Sequence, residues 1–353
     1  MWMRLFPVGL LAVTMTAAFF IPPMVHYADI AIVLLPAMTA LVNGPIATAA
    51  ATVVTVALVS AGTGALGILH FPPSEWGHVA PVAIMSVLCT GLAWLRNRVI
   101  SRLLDITLVA ETAQSAILRR LPDRIGDLSL AVGYNTAADT PSLVGGDFYD
   151  VLETDFGVRA VVGDVQGHDL NTIQLTEALL GTFRERVLDE PDLLGLAARM
   201  ERRVRIDNRS REEWEQTFAT AVFLEILPGR RLLRFILFGH PALLLVRERA
   251  EELSIPPMPP LGLADFGLHT AEVREVELKP DDLIIAYTDG VVDARNSAGQ
   301  TYPLIPLVDA NIASGVRDPE SLRRSLRASF FDGGYVRADD LTILIIRIPP
   351  GSD

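Results

Sequence analysis

The sequence holds a single cysteine, Cys89, in 353 residues. One thiol cannot build a disulfide framework or a zinc site made of cysteines. Positive charge is also scarce: 30 Lys+Arg stand against 42 Asp+Glu, a formal net charge of -12. That balance excludes general nucleic-acid binding, which needs a basic surface. Metal or phosphate chemistry therefore has to come from carboxylates and histidine. Charge of either sign is nearly missing from residues 1–95, which contain only Arg4, Asp29 and Glu75. A mean hydropathy of +0.35 is high for a soluble protein, and the length fits two domains. The change in composition sets a boundary near Arg96.

Four apolar runs occupy the uncharged part, at 5–21, 30–42, 46–69 and 79–95. A membrane-spanning helix needs about 20 apolar residues, with about 17 tolerated. The second run is short and must extend over 27–43, and its Pro36 is tolerated inside a membrane. A cleaved signal peptide would account for the first run, but further apolar runs follow it directly. Arg4 precedes the first run, and Arg96, Arg98 and Arg102 follow the fourth. The two turns that would lie outside carry Asp29 and Glu75 and no Lys or Arg. The positive-inside rule then places both ends in the cytoplasm. Intramembrane ion pairs, expected of a transporter, are missing, so residues 1–95 are expected to form a four-helix anchor or sensor.

Residues 96–121 form a connector. Up to Arg120 it lacks Pro and Gly, and Val99, Leu103, Ile106, Ala110, Ala113 and Ile117 recur at spacings of three and four. That is one apolar stripe on a helix, ended by Leu121-Pro122. The stripe fits a helix lying on its own domain and equally a parallel homodimer helix.

Residues 122–353 read as a soluble domain. Strand-like runs lie at 128–134, 147–152, 158–162, 217–226, 232–238, 242–246, 273–278, 283–286 and 341–348. Helical patterns lie at 172–188, 192–208 and 319–330. The strands mostly follow one another directly, which predicts an α+β fold of antiparallel sheets covered by helices. The arginines of 199–211 are mixed with acids and read as a solvated helix face.

The chemical signal is aspartate beside glycine at strand ends, seen at Gly146-Asp147, Gly163-Asp164 and Asp289-Gly290, with the acid pair Asp339-Asp340 before the last strand. A lone Asp-Gly is usually a turn. Several at strand ends make rigid carboxylate platforms, and hard divalent cations take such oxygen ligands. Two such ions about 3.5–4 Å apart suit phosphoester hydrolysis.

Val144-Gly145-Gly146-Asp147-Phe148-Tyr149-Asp150 resembles the VGGDWYD segment of SpoIIE-type phosphatases, the bacterial branch of the metal-dependent protein phosphatase 2C class. Gly163-Asp164-Val165-Gln166-Gly167-His168 resembles their GDVxGHG, Phe218-Ala219-Thr220-Ala221 their FATA, and Gly239-His240-Pro241 their AGHP. Pro260-Leu261-Gly262, Tyr287-Thr288-Asp289-Gly290 and Asp339-Asp340 follow in family order. The resemblance implies an αββα sandwich holding two Mn2+ or Mg2+ ions and acting as a serine/threonine phosphatase by direct water attack on phosphorus. It assigns the catalytic metal ligands to Asp147, Asp164, Asp289 and Asp339, with the Val165 carbonyl as a further ligand and Asp340 as the lesser member of its pair. By family analogy the substrate is a phosphorylated anti-sigma-factor antagonist in a partner-switching pathway, and the protein sits in a bacterial cell membrane with the phosphatase domain in the cytoplasm. His168 and His240 read either as phosphate contacts or as histidines bonded to loop backbone. Gln166 stands where eukaryotic relatives place an acid histidine. Asp169 replaces the glycine that closes GDVxGHG, and Phe238 replaces the alanine of AGHP. Those departures leave a rival open, a degenerate domain that binds a partner without turnover.

Overall fold

The computed structural model describes residues 25–61, 79–135, 145–167, 170–209, 211–212, 215–227, 231–256, 258–263, 272–336 and 340–350, with residues 9, 13 and 229. They fall into two compact units, Met1–Asp105 and Ile106–Asp353.

In the first unit, α1 (Val25–Val42) and α2 (Pro45–Ala61) form a hairpin across Asn43-Gly44, and α3 (Val79–Ile117) begins beyond it. Small hydroxyls mediate the packing. Thr55 Oγ1 donates to the Ile32 carbonyl at 3.2 Å, and Thr52 and Thr90 hydroxyls meet at 3.1 Å. Leu88, Leu92 and Leu95 of α3 face outward instead. Arg96 donates to the carbonyls of Ala40, Leu41 and Asn43, closing the C-terminal end of α1. These last-turn carbonyls have no intrahelical partner, and a guanidinium also answers the helix dipole there. Ala80–Arg102 is the one helical stretch long and apolar enough to cross a membrane among the described residues. The first apolar run, 5–21, lies outside them apart from residues 9 and 13.

The run at 79–95 and the connector are not separate elements. They form one continuous α3, because nothing between Leu95 and Ile117 breaks a helix. α3 stops at Ile117, ahead of the expected stop at Leu121-Pro122. The side chains of 103–116, which carry most of the apolar stripe, lie outside the described residues.

The second unit is the expected αββα sandwich. One sheet has six strands: β1 (Arg124–Ile125), β2 (Leu128–Asn135), β11 (Leu341–Arg347), β10 (Leu283–Tyr287), β7 (Leu243–Val246) and β8 (Ala250–Leu253), in that order. The other has β3 (Asp147–Thr154), β4 (Gly157–Val165), β5 (Ala219–Leu227), β6 (Leu232–Phe238) and β9 (Arg274–Glu277). All named strand pairs are antiparallel. Helices α4 (Leu170–Asp189) and α5 (Leu193–Asn208) cover the five-stranded sheet. After a four-residue turn of helix, α6 (Asp289–Val292), come α7 (Leu304–Ala313) and α8 (Pro319–Asp332) on the six-stranded sheet.

Alternation sorts the two cores. On β10 and β11, Ile284, Ala286, Leu344 and Ile346 enter the inter-sheet core. Leu283, Ile285, Ile343 and Ile345 face the layer of α7 and α8. Both faces being covered explains why these strands read as unbroken apolar runs. An ion pair lies wholly inside: Arg159 of β4 bonds Glu225 of β5 at 2.7 Å. The same guanidinium donates to the carbonyls of Val187, Glu190 and Pro191. It thereby closes the C-terminal end of α4 and fixes that helix on the sheet.

Candidate active site

Both sheets deliver aspartates to one end of the sandwich. β3 begins at Asp147, and the register sets it opposite Asp164 on β4. Directly opposed residues of an antiparallel pair share a face, so these carboxylates are neighbours. From the other sheet, Asp289 follows the end of β10 and Asp340 precedes β11. Hydroxyls join the sheets: Thr288 Oγ1 and Thr342 Oγ1 donate to Asp147 Oδ2 at 2.9 and 2.6 Å. The Thr342 amide donates to Thr288 Oγ1 at 3.0 Å, which orients that hydroxyl. Tyr134 at the end of β2 donates to Asp340 Oδ2 at 2.8 Å.

Gly145 and Gly146 serve by their lack of a side chain, since neither has positive φ. A Cβ on Gly146 would overlap the Val165 carbonyl oxygen and Asp164 Oδ1, and one on Gly145 would overlap the Asp340 carboxyl. Oxygens of Asp164, Val165 and Asp340 thus crowd onto one stretch of bare backbone. The Val165 amide ties back to the Gly146 carbonyl at 3.0 Å.

Asp147 is 2% exposed. Burial pushes its pKa well above the carboxylate range, the negative charges of Asp164 and Asp340 push the same way, and the two threonine hydroxyls oppose them. A buried carboxylate beside two others is unfavourable alone and becomes favourable around a divalent cation. The donor set of carboxylates and one carbonyl is that of a hard ion such as Mg2+ or Mn2+. Asp289 is exposed at the start of α6. Among the described residues no three acidic, cysteine or histidine side chains are gathered so as to hold a metal ion. Asp339, which the resemblance names as a ligand, lies outside the described residues, as do His168 and Asp169.

His240 is buried, with Nδ1 3.0 Å from Thr220 Oγ1, and burial pushes its pKa down to about 3. It is held as a neutral imidazole beside the strand that pairs with Asp164, bonded to a side-chain hydroxyl of that strand and not to loop backbone. Phe238 replaces alanine without entering the site: it is fully buried, edge-on to Phe223 with centroids 5.9 Å apart. Gln166 is exposed, and its amide donates to the Phe218 carbonyl at 2.9 Å. Sequence reasoning missed Tyr134, Thr288 and Thr342. Thr288 alone left a trace, a hydroxyl wedged between an apolar strand and Asp289.

The sequence profile of the family described as Stage II sporulation protein E (SpoIIE) matches residues 154–349. The chain belongs to the SpoIIE family. The family stretch begins after Asp147 and contains Asp164, Asp289 and Asp340. A relative, phosphoserine phosphatase RsbP of Bacillus subtilis (strain 168), is 24% identical over 166 residues, covering 46% of this chain and 40% of RsbP. The match therefore spans less than half the length of that relative. Among solved structures, the SiaA-PP2C domain of Pseudomonas aeruginosa superposes with a TM-score of 0.56 at 21% identity, covering 72% of this chain and 98% of that one. The RsbU and RsbW domains of Rv1364c from Mycobacterium tuberculosis superpose with a TM-score of 0.51 at 26% identity, covering 64% of this chain and 61% of that one. The SpoIIE-family domain thus has the PP2C-like phosphatase fold.

Proposed function

We infer that the chain is a membrane-anchored, metal-dependent phosphoserine/phosphothreonine protein phosphatase. The observation that carries this reading is the meeting of Asp147, Asp164 and Asp340 with the Val165 carbonyl at a glycine pair that leaves room for nothing else. Asp147, Asp164, Asp289 and Asp339 would hold two Mn2+ or Mg2+ ions, with the Val165 carbonyl and Asp340 completing the shell. When bound, such ions supply Lewis acidity and a water of lowered pKa. The chain's own part is positional. Thr288 and Thr342 fix the free oxygen of Asp147, Tyr134 fixes Asp340, and the burial of Asp147 keeps bulk water off one side of the site.

The phosphoserine specificity rests on RsbP by analogy. The proposed substrate, a phosphorylated anti-sigma-factor antagonist in a partner-switching pathway, rests on the family resemblance of the motifs. The anchor reading rests on Ala80–Arg102 and on helices that turn leucine outward and threonine inward, the distribution lipid favours. With it go a four-span region, a bacterial cell-membrane location with the phosphatase domain in the cytoplasm, and a homodimer through α3. The buried Phe238 gives no support to a degenerate binding module. The test is phosphate release from matched phosphoserine and phosphotyrosine peptides in manganese. Turnover confined to the phosphoserine peptide is expected, and equal turnover of both would refute the specificity.

A further inference from the structure

The arginines of α5 are exposed or half-buried and mixed with acids, and three of them also border a groove. The inner side of α5 is engaged: Glu201 accepts from the Gly262 amide at 2.5 Å, and Asn208 brackets Thr217 through both amide atoms. The outer side carries Arg199, Arg202 and Arg203, three and four apart and so on one helix face. Opposite them α4 presents Thr182, Glu185 and Arg186, and together with Ile206 of α5 these side chains line a concavity of about 290 Å³. Nearby carboxylates take up part of the charge. Arg199 lies 3.5 Å from Glu190, Arg186 3.4 Å from Glu185 and Arg203 3.8 Å from Asp207. These three guanidinium side chains are still 49%, 45% and 39% exposed. Arg202 is exposed and has no ion pair among the described residues.

Four guanidiniums against three neighbouring carboxylates leave one positive charge in excess, carried at Arg202, on a chain of net charge -12. Surface charges act over about 8 Å at physiological salt, so an approaching acidic body is repelled over most of the surface and attracted here. The groove lies outside the active site. Thr182 follows Leu170 by twelve residues on α4, about 18 Å along the helix. That distance fits within one small protein domain, which is about 30 Å across. A groove this open favours rim electrostatics over enclosure of a small ligand. Ile206 adds one exposed apolar side chain, but helices that lie on lipid present a convex face, whereas these guanidiniums sit in a concavity that a flat bilayer cannot enter.

We propose that the Arg186–Arg199–Arg202–Arg203 groove is a docking site for an acidic face of the phosphoprotein substrate, separate from the carboxylate centre that would hydrolyse it. The inference rests on the phosphatase reading. Docking at the groove lowers KM and leaves the chemical step alone.

The test uses the full chain and two phosphoserine peptides that share a ten-residue Gly/Ser spacer, one ending in six glutamates and the other in six serines. A spacer of that length averages about 17 Å end to end. The acidic tail is expected to lower KM by about 5–10-fold with kcat unchanged. The advantage should vanish in Arg202→Glu and in Arg199→Gln/Arg202→Gln, while hydrolysis of a small aryl phosphate stays at the wild-type rate in both. The milder double variant serves if Arg202→Glu lowers the melting temperature. Equal KM for the two peptides in the wild type, or an advantage that persists in the variants, would overturn the proposal. If neither peptide turns over, the phosphatase reading fails, and docking is then read from the fluorescence anisotropy of the labelled acidic tail. Binding lost in Arg202→Glu sustains the groove as an acidic docking site, and no binding rejects it. Binding of anionic vesicles through Arg202, with no binding of the peptide, also rejects it.

Discussion

At Gly146 the site depends on a missing atom. Any Cβ there must displace the Val165 carbonyl or the Asp164 carboxylate, both of which sit on a strand paired along its length with β3 and β5 and cannot yield cheaply. Gly146→Ala is therefore expected to fold and to lose about 100-fold in kcat/KM, the cost of misplacing a catalytic group by about 1 Å. Steady-state kinetics beside a melting curve would check this, and near-wild-type turnover would show that the glycine pair does not shape the site. At this scale the sequence told half of the story. Asp147, Asp164 and Asp289 could be picked out by an adjoining glycine at a strand end, and Asp340 by its place in an acid pair before an apolar strand. The groups that hold Asp147 could not, since Thr288 and Thr342 lie 141 and 195 residues along the chain from it. Only the closing of the sandwich brings hydroxyl and carboxylate together.

At the scale of elements, the fully buried Arg159 joins β4, β5 and the end of α4 through four partners, of which Glu225 and the Val187 carbonyl are buried. Removing one member of such a buried pair strands the other's charge. Arg159→Met is expected to cost about 3–5 kcal/mol of folding stability, and adding Glu225→Leu should restore much of it. Urea denaturation of the single and double variants measures both, and a loss below about 1 kcal/mol would mean the pair acts like a surface bridge. Long buried strands were legible because two covered faces demand unbroken apolar runs. β8 was not, since its Ala250-Glu251-Glu252-Leu253 pattern belongs to a half-exposed edge. α7 was missed for another reason. Leu304, Val308 and Ile312 recur every fourth residue and are all buried, but Pro303 and Pro306 disguise the helix, although proline is tolerated in a first turn. The continuity of α3 past Arg96 was hidden by a change of composition, which marks a change of solvent and does not break a backbone.

For the whole molecule, an αββα sandwich sets carboxylates from two sheets at one end, with burial raising the pKa of Asp147 and its like-charged neighbours adding to the shift. Such a centre takes up either a proton or a cation, and the reading of this chain as a metal-dependent phosphatase requires the cation. Phosphate release by the full chain from a phosphoserine protein, with and without manganese and beside Asp164→Ala, tests it most directly. Turnover that requires manganese and falls to background in Asp164→Ala is the predicted result. Equal turnover after complete removal of divalent ions, or an Asp164→Ala chain as active as the wild type, would contradict it.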